Sequence, residues 1–427
     1  MCARSIDEPH RASSELELLF DLTFVVAVAA VTTQFAQNVA DGHAQAAVLP
    51  FLQVFFAIWW AWMNFTWFAS SYDTDDVTYR LLTMLQMGGV LVLAAGVPAA
   101  VDHSDYRTVM LGYVIMRIGL GALWLRAGIE YPAGRRTALR YTCGIAVLQV
   151  GWVILIAVSW AGVVPSYART LLFVGLVALE LTVPRWAERT GTTNWHPHHI
   201  AERYGLFTII LLGESVLAVS TGVRNALATA EASGSLVGVA AAGFVLLCAL
   251  WWLYFLEPTG DGLAERRHRS YLWGYGHYGI FASLAALGSG LKIAVEQTAH
   301  PPEISPVVTG YSVAVPAGLF VLMLWAVHRP ILARPVLRPA ATLSGVAAIL
   351  VAPLAAGPAG VPTVVAVIAA VSMLLIVDTL RRPIRFRLWP RTLDERGHVV
   401  PAVDRADRGS ELATPVPFDG VNGENAV

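Results

Sequence analysis

The sequence predicts an all-α, polytopic membrane protein of about twelve transmembrane helices. Only 14% of its 427 residues are charged, whereas a soluble domain carries about a quarter. Its mean hydropathy is +0.58. Apolar stretches of the roughly 20 residues needed to cross a bilayer recur as far as Leu380. This composition excludes a soluble enzyme, and a net charge of −1 leaves no overall field to attract nucleic acid. Cys2, Cys143 and Cys248 form no readable disulfide framework.

The first span is placed at 16–37. It is read as a retained helix, because Asp7, Glu8, Glu15 and Glu17 lie at its start and no small-residue cleavage pattern precedes it. A connection without Lys or Arg leads to the second span, 46–70, where Trp59, Trp60, Trp62 and Trp67 cluster; an interfacial aromatic belt explains Trp67 better than Trp59. Arg80 precedes the third span, 81–101, and Arg107 opens the fourth, 107–126. Arg126, Arg135, Arg136 and Arg140 lead into the fifth, 140–163, and Arg169 stands at the start of the short sixth, 167–184. Arg185, Arg189 and Arg203 are counted before the seventh, 203–222, and Arg224 before the eighth, 236–257. Arg266, Arg267 and Arg269 precede the ninth, 271–296, and Lys292 is the charge at its far end before the tenth, 305–327. Arg329, Arg334 and Arg338 come before the eleventh, 338–356, and an uncharged Gly357 to Gly360 turn before the twelfth, 361–380.

This alternation of few and many positive charges obeys the positive-inside rule and places both termini in the cytoplasm. The chain then divides into a cytoplasmic N-terminus (1–15), a first six-helix half (16–184), a cytoplasmic linker (185–202), a second half (203–380) and a tail (381–427). Pro401, Pro415 and Pro417 stand among acidic and small residues that have little to bury, so the tail is expected to be disordered.

Three matches in the same order relate the halves. The segment Glu17 to Val26 aligns with Glu202 to Leu211, Ile58 to Met63 with Leu250 to Phe255, and Gln86 to Gly89 with His277 to Ile280. Because the units begin six helices apart, both enter from one side, which makes them two parallel six-helix repeats of a kind found in transporters.

The run Leu16-Glu17-Leu18-Leu19-Phe20-Asp21-Leu22-Thr23-Phe24-Val25 resembles the bacterial low temperature requirement protein A (LtrA) family. So do Trp59 to Phe68 continuing to Tyr72-Asp73-Thr74-Asp75-Asp76, and His199-Ile200-Ala201-Glu202-Arg203-Tyr204-Gly205-Leu206-Phe207 with Leu212-Gly213-Glu214-Ser215. Leu250 to Phe255 and Gly274 to His277 are similar as well, and the resemblance covers about 14–380. It implies a multi-pass bacterial inner-membrane protein linked by name to growth in the cold, and brings no reaction or substrate with it.

Charge at the bilayer centre is expensive, so intramembrane charges are candidates for function. Arg117, about ten residues into the fourth span, and Glu214, about eleven into the seventh, both fall near mid-depth and could pair. Asp21 lies one turn inside the first span on the same face as Glu17. Asp21, Arg117, Glu214 and the polar His277 are taken as a substrate or ion site, and Glu17, Glu202, Asp73 and Asp76 as gate carboxylates. Asp73, Asp75 and Asp76 read more simply as a solvated turn and N-cap. His196, His198 and His199 are weak metal candidates and read better as an interfacial cluster. Glu180, Glu257 and Asp378 read as cytoplasmic-end charges, and Lys292 with Glu296 as a snorkelling pair.

No phosphate-binding loop, dinucleotide motif, nucleophile elbow or zinc-protease helix appears, so no enzyme and no cofactor is expected. The leading expectation is a secondary transporter or ion-conducting protein acting on a small solute or ion in the lipid bilayer. The alternative is a membrane sensor or accessory protein for cold adaptation. A homodimer fits the sequence as well as a monomer.

Overall fold

The computed structural model describes residues 1, 3–4, 8, 11–228, 234–256, 259–299, 304–332, 336–381, 392–393 and 399–400. They divide into two units, Met1–Thr379 and Leu380–Val427. The first unit is helical. The tail expected to be disordered lies mostly outside the described residues; within the second unit β1 (Thr392–Leu393) pairs antiparallel with β2 (Val399–Val400).

Among the described residues, twelve helical segments are long and apolar enough to cross a membrane. Helix α1 (Glu15–Ala40) starts with a capping box, in which the Ser14 hydroxyl accepts from the Glu17 amide while the Glu17 carboxylate accepts from the Ser14 amide. This arrangement satisfies two of the amides that a helix start leaves open. Helix α2 (Ala44–Tyr72) carries the tryptophans, and α3 (Val77–His103) is capped by Asp76 through the Tyr79 amide. The rest of the first half is α4 (Arg107–Glu130), α5 (Arg135–Trp160) and α6 (Ser166–Ala187).

The second half is α7 (Pro197–Ala228), α8 (Gly234–Phe255), α9 (Ser270–Ala299), α10 (Pro306–His328), α11 (Pro339–Val351, continued by helical turns through Ala352–Ala355 and Ala356–Ala359 into one span) and α12 (Val361–Leu380). A short helix, Thr259–Glu265, lies in the connection after α8. Two boundaries differ from expectation in ways that matter. Helix α7 begins at Pro197 rather than 203, so Arg203 is inside the helix and not in a loop. Glu180 is a fully buried residue of α6 rather than an interfacial charge.

Helix α1 packs on α2 and α3 as α7 packs on α8 and α9, and α3–α4 and α9–α10 are the tightest neighbours in their halves. Small residues allow this closeness. A Cβ on Gly89 would lie 2.7 Å from the Gly112 carbonyl oxygen, and one on Gly290 would collide with the Ser312 carbonyl. Helices α1, α7 and α9 join the halves. Helix α9 is the most enclosed, whereas α5 and α6 show Val147, Val150, Ile154, Leu171 and Val174 outward, an apolar rim suited to lipid.

The chain ends of these helices sort to two faces. On one, Arg4 pairs with Asp73, the N-terminal amine with Glu130, Arg126 with Asp76, and His198 with Asp261. We call it the Arg-rich face. On the other, Gln34 and Asn38 donate to Asp102.

Candidate functional site: two buried ion networks

The first network joins α1 to α7 one to two turns in from the Arg-rich face. Glu17 and Asp21 are i and i+4 on α1; His199 and Arg203 have the same spacing on α7, so the two helices present complementary charges at matched intervals. Arg203 binds Asp21 as a fork, Nε to Oδ2 at 2.7 Å and Nη2 to Oδ1 at 2.6 Å. Its Nη1 lies 3.2 Å from Glu17 Oε1. Trp62 of α2 donates to Asp21 Oδ1 at 2.6 Å. From the segment before α1, Arg11 reaches Glu17 Oε1 at 3.4 Å and donates to the Ala69 carbonyl at 2.6 Å and to that of Ser70.

All five charged or titratable side chains are buried. The two carboxylates and two guanidiniums balance when His199 is neutral. An ionised carboxylate only accepts, so His199 Nε2 donates to Glu17 Oε2 across 3.1 Å. That leaves His199 Nδ1 buried without a hydrogen-bond partner among the described residues, and the Tyr79 hydroxyl nearby in the same state.

The second network lies among α2, α4, α5 and α6. Arg117 pairs with Glu180 at 2.7 Å, not with Glu214. Glu180 also accepts from Trp60 at 2.9 Å, Tyr113 at 3.1 Å and Trp152 at 3.2 Å. Four buried donors thus converge on this one carboxylate. Arg117 keeps Nε and Nη1 buried without hydrogen-bond partners among the described residues. Two of the deep tryptophans of α2, Trp60 and Trp62, are therefore carboxylate ligands, whereas Trp59 Nε1 is buried without a hydrogen-bond partner among the described residues.

The expected site between the first, fourth and seventh helices does not assemble. Asp21 belongs to one network and Arg117 to the other. Glu214 is half-buried, with Oε2 lacking a hydrogen-bond partner among the described residues. His277 is committed: Nδ1 donates to the Trp273 carbonyl at 2.7 Å, so Nε2 accepts from the Tyr254 hydroxyl at 3.1 Å.

Of the gate carboxylates, Glu17 is in the first network, while Glu202 is exposed on the other side of α7 and meets the Ser13 amide at 3.5 Å. Asp73 faces Arg4 at 3.3 Å and Arg11 at 3.8 Å; burial, reinforced by the Glu17 charge, still pushes its carboxyl up. Asp76 caps α3 and pairs with Arg126, which holds it well below the usual carboxylate range. The three histidines diverge, His199 to Glu17 and His198 to Asp261 at 2.8 Å, while burial pushes His196 down. Among the described residues no group of three or more His, Cys, Asp or Glu could hold a metal.

A family model for the bacterial low temperature requirement A protein (LtrA) matches residues 12–378. The chain belongs to the LtrA family. This LtrA protein is thus a multi-pass membrane protein, and the match covers its candidate spans up to the last two residues of α12. It is similar to the uncharacterized protein RA0937 of Rhizobium meliloti (strain 1021), 27% identical over 308 residues that cover 67% of this chain and 70% of that one. No solved structure matches. Apart from Arg11, the residues of both networks lie within the LtrA match, which says nothing of what they do.

Proposed function

We propose that this LtrA protein is a secondary transporter that couples a proton to the movement of a small solute or ion, and that it has no enzymatic role. The observation that carries the reading is the buried Glu17–Asp21–Arg203–Arg11–His199 network between α1 and α7. With His199 neutral its charges cancel. A proton added at Nδ1 makes a dry site cationic, which costs several kcal/mol and favours a state in which that site opens to water. A proton thereby shifts the balance between two conformations, the requirement for coupling.

We place the Arg-rich face in the cytoplasm, with both termini there and the two halves as duplicated units. The order in which helices neighbour one another in each half supports the duplication. Lipid is the expected surrounding, and a second copy of the chain the simplest partner.

Purified protein in vesicles containing a pH-sensitive dye tests the reading. Wild type is expected to carry protons when a panel of solutes and ions is offered across an imposed gradient, and His199→Gln to abolish that proton signal. Vesicles indistinguishable from protein-free ones for every panel member overturn it. The family name favours a second reading, an accessory protein for the cold. Deleting 392–427 separates the two, since a transporter keeps its flux and a tail-dependent accessory loses its role.

A further inference from the structure

A cavity of about 510 Å³ opens on the face opposite the Arg-rich one, between α2, α4, α5 and α6. The second network touches it only through Tyr113 and Trp152, the charged groups of both networks lie outside its lining, and the transport reading makes no use of it. Phe56, Met110, Leu155 and Phe173 form apolar walls. Its inner end is Tyr113 and Trp152, whose polar atoms are turned to Glu180 and so unavailable to a guest.

The polar groups at the mouth are also mostly committed. Gln53 accepts from the Tyr106 hydroxyl at 2.7 Å, and Arg107 forks onto Asp105 at 2.5–3.0 Å. Arg169 is the exception: half-buried in the lining, it has no carboxylate partner among the described residues. Its charge reaches into the mouth, since the Tyr106 phenol, pushed up to about 12 by burial, is pulled back by Arg169.

A mostly apolar recess lined by Arg169, a cation without a carboxylate partner among the described residues, selects for an apolar body and a single negative end. A cation meets Arg169 unfavourably, and a sugar finds too few free donors and acceptors. We propose that this cavity binds an amphiphile consisting of one apolar chain or ring system that ends in a single anionic group, with Arg169 pairing the anion. A free amphiphilic acid and an acidic bilayer lipid share that chemistry.

The test titrates full-length protein, in nanodiscs of zwitterionic lipid, with dansyl-labelled undecanoate and follows dansyl emission. Saturable binding is expected, weakened about ten-fold by Arg169→Gln through loss of a charge-assisted contact and largely restored by Arg169→Lys. Ala57→Trp, which fills the recess, is expected to abolish binding, while Arg224→Gln on the same face leaves it unchanged. Adding phosphatidylglycerol assigns the source: displacement of the probe supports a lipid guest, and no displacement supports an amphiphile from the aqueous phase. Equal binding by Arg169→Gln, or by the uncharged dansyl-labelled undecanol, overturns the proposal. Because the readout is binding, it stands or falls apart from proton coupling.

Discussion

Asp21 and Arg203 meet through two short hydrogen bonds with neither side chain in contact with water. Removing one member therefore leaves the other as a lone buried charge, at a cost of about 3–5 kcal/mol. We expect Asp21→Asn to lower thermal stability in detergent sharply and Asp21→Asn with Arg203→Met to recover much of it; equal losses in single and double variants would show that the pair is not coupled. Glu180→Gln should behave like Asp21→Asn, because it strands Arg117. Glu214→Gln should cost nothing measurable, because its carboxylate has no hydrogen-bonded partner at Oε2 to lose. Asp21 and Arg117 were legible in the sequence because a charge inside an apolar run stands out. Their partners were not: Arg203 and Glu180 lie near the ends of such runs, where charge reads as interface, and the contacts span 182 and 63 residues. The one available signal was the matched i, i+4 spacing of Glu17–Asp21 and His199–Arg203.

At the scale of the element, helix starts and close crossings set the expectations. Asp76 both caps α3 and pairs with Arg126, so Asp76→Ala should cost about 1 kcal/mol from the cap, seen as a lower melting temperature. Its pH dependence has a definite sign. Arg126 depresses the folded-state pKa, so the stabilisation is present above the unfolded value of about 3.9 and fades as pH falls below it. Asp76→Asn keeps the cap and should flatten that acid-side loss in a melting series. Gly112 faces the α3 backbone so closely that a Cβ would collide with Leu93, and Gly112→Ala should destabilise by about 1–3 kcal/mol. Gly88→Ala, with open space beside it, should be neutral or better. The existence and order of the twelve helices were legible from apolar length alone. The start of α7 was not, since His-Pro-His-His reads as a loop until its imidazoles find carboxylates on α1 and in the connection after α8.

Across the whole molecule, the alternating Arg content of successive connections and the gathering of Arg4, Arg11, Arg126, Arg266 and Arg267 at one face describe the same sorting. Single cysteines placed in a cysteine-free background at Asp261 and at Asp105 should label from opposite sides of intact cells; labelling from the same side would refute the two-face arrangement. Composition made the membrane class legible because the bilayer imposes length and charge rules on every span. The separation of buried charge into two networks was hidden, because which helices neighbour one another depends on shape and small-residue crossings rather than on hydropathy.

One oxygen has two employments. Glu17 Oε2 accepts from the Ser14 amide at 2.8 Å, closing the first turn of α1, and from His199 at 3.1 Å, closing the ion network. Any event that draws this carboxylate toward or away from the imidazole therefore tightens or frays the end of a helix. The hydrogen bond that closes the first turn of α1 and the one that joins α1 to α7 thus share a single acceptor.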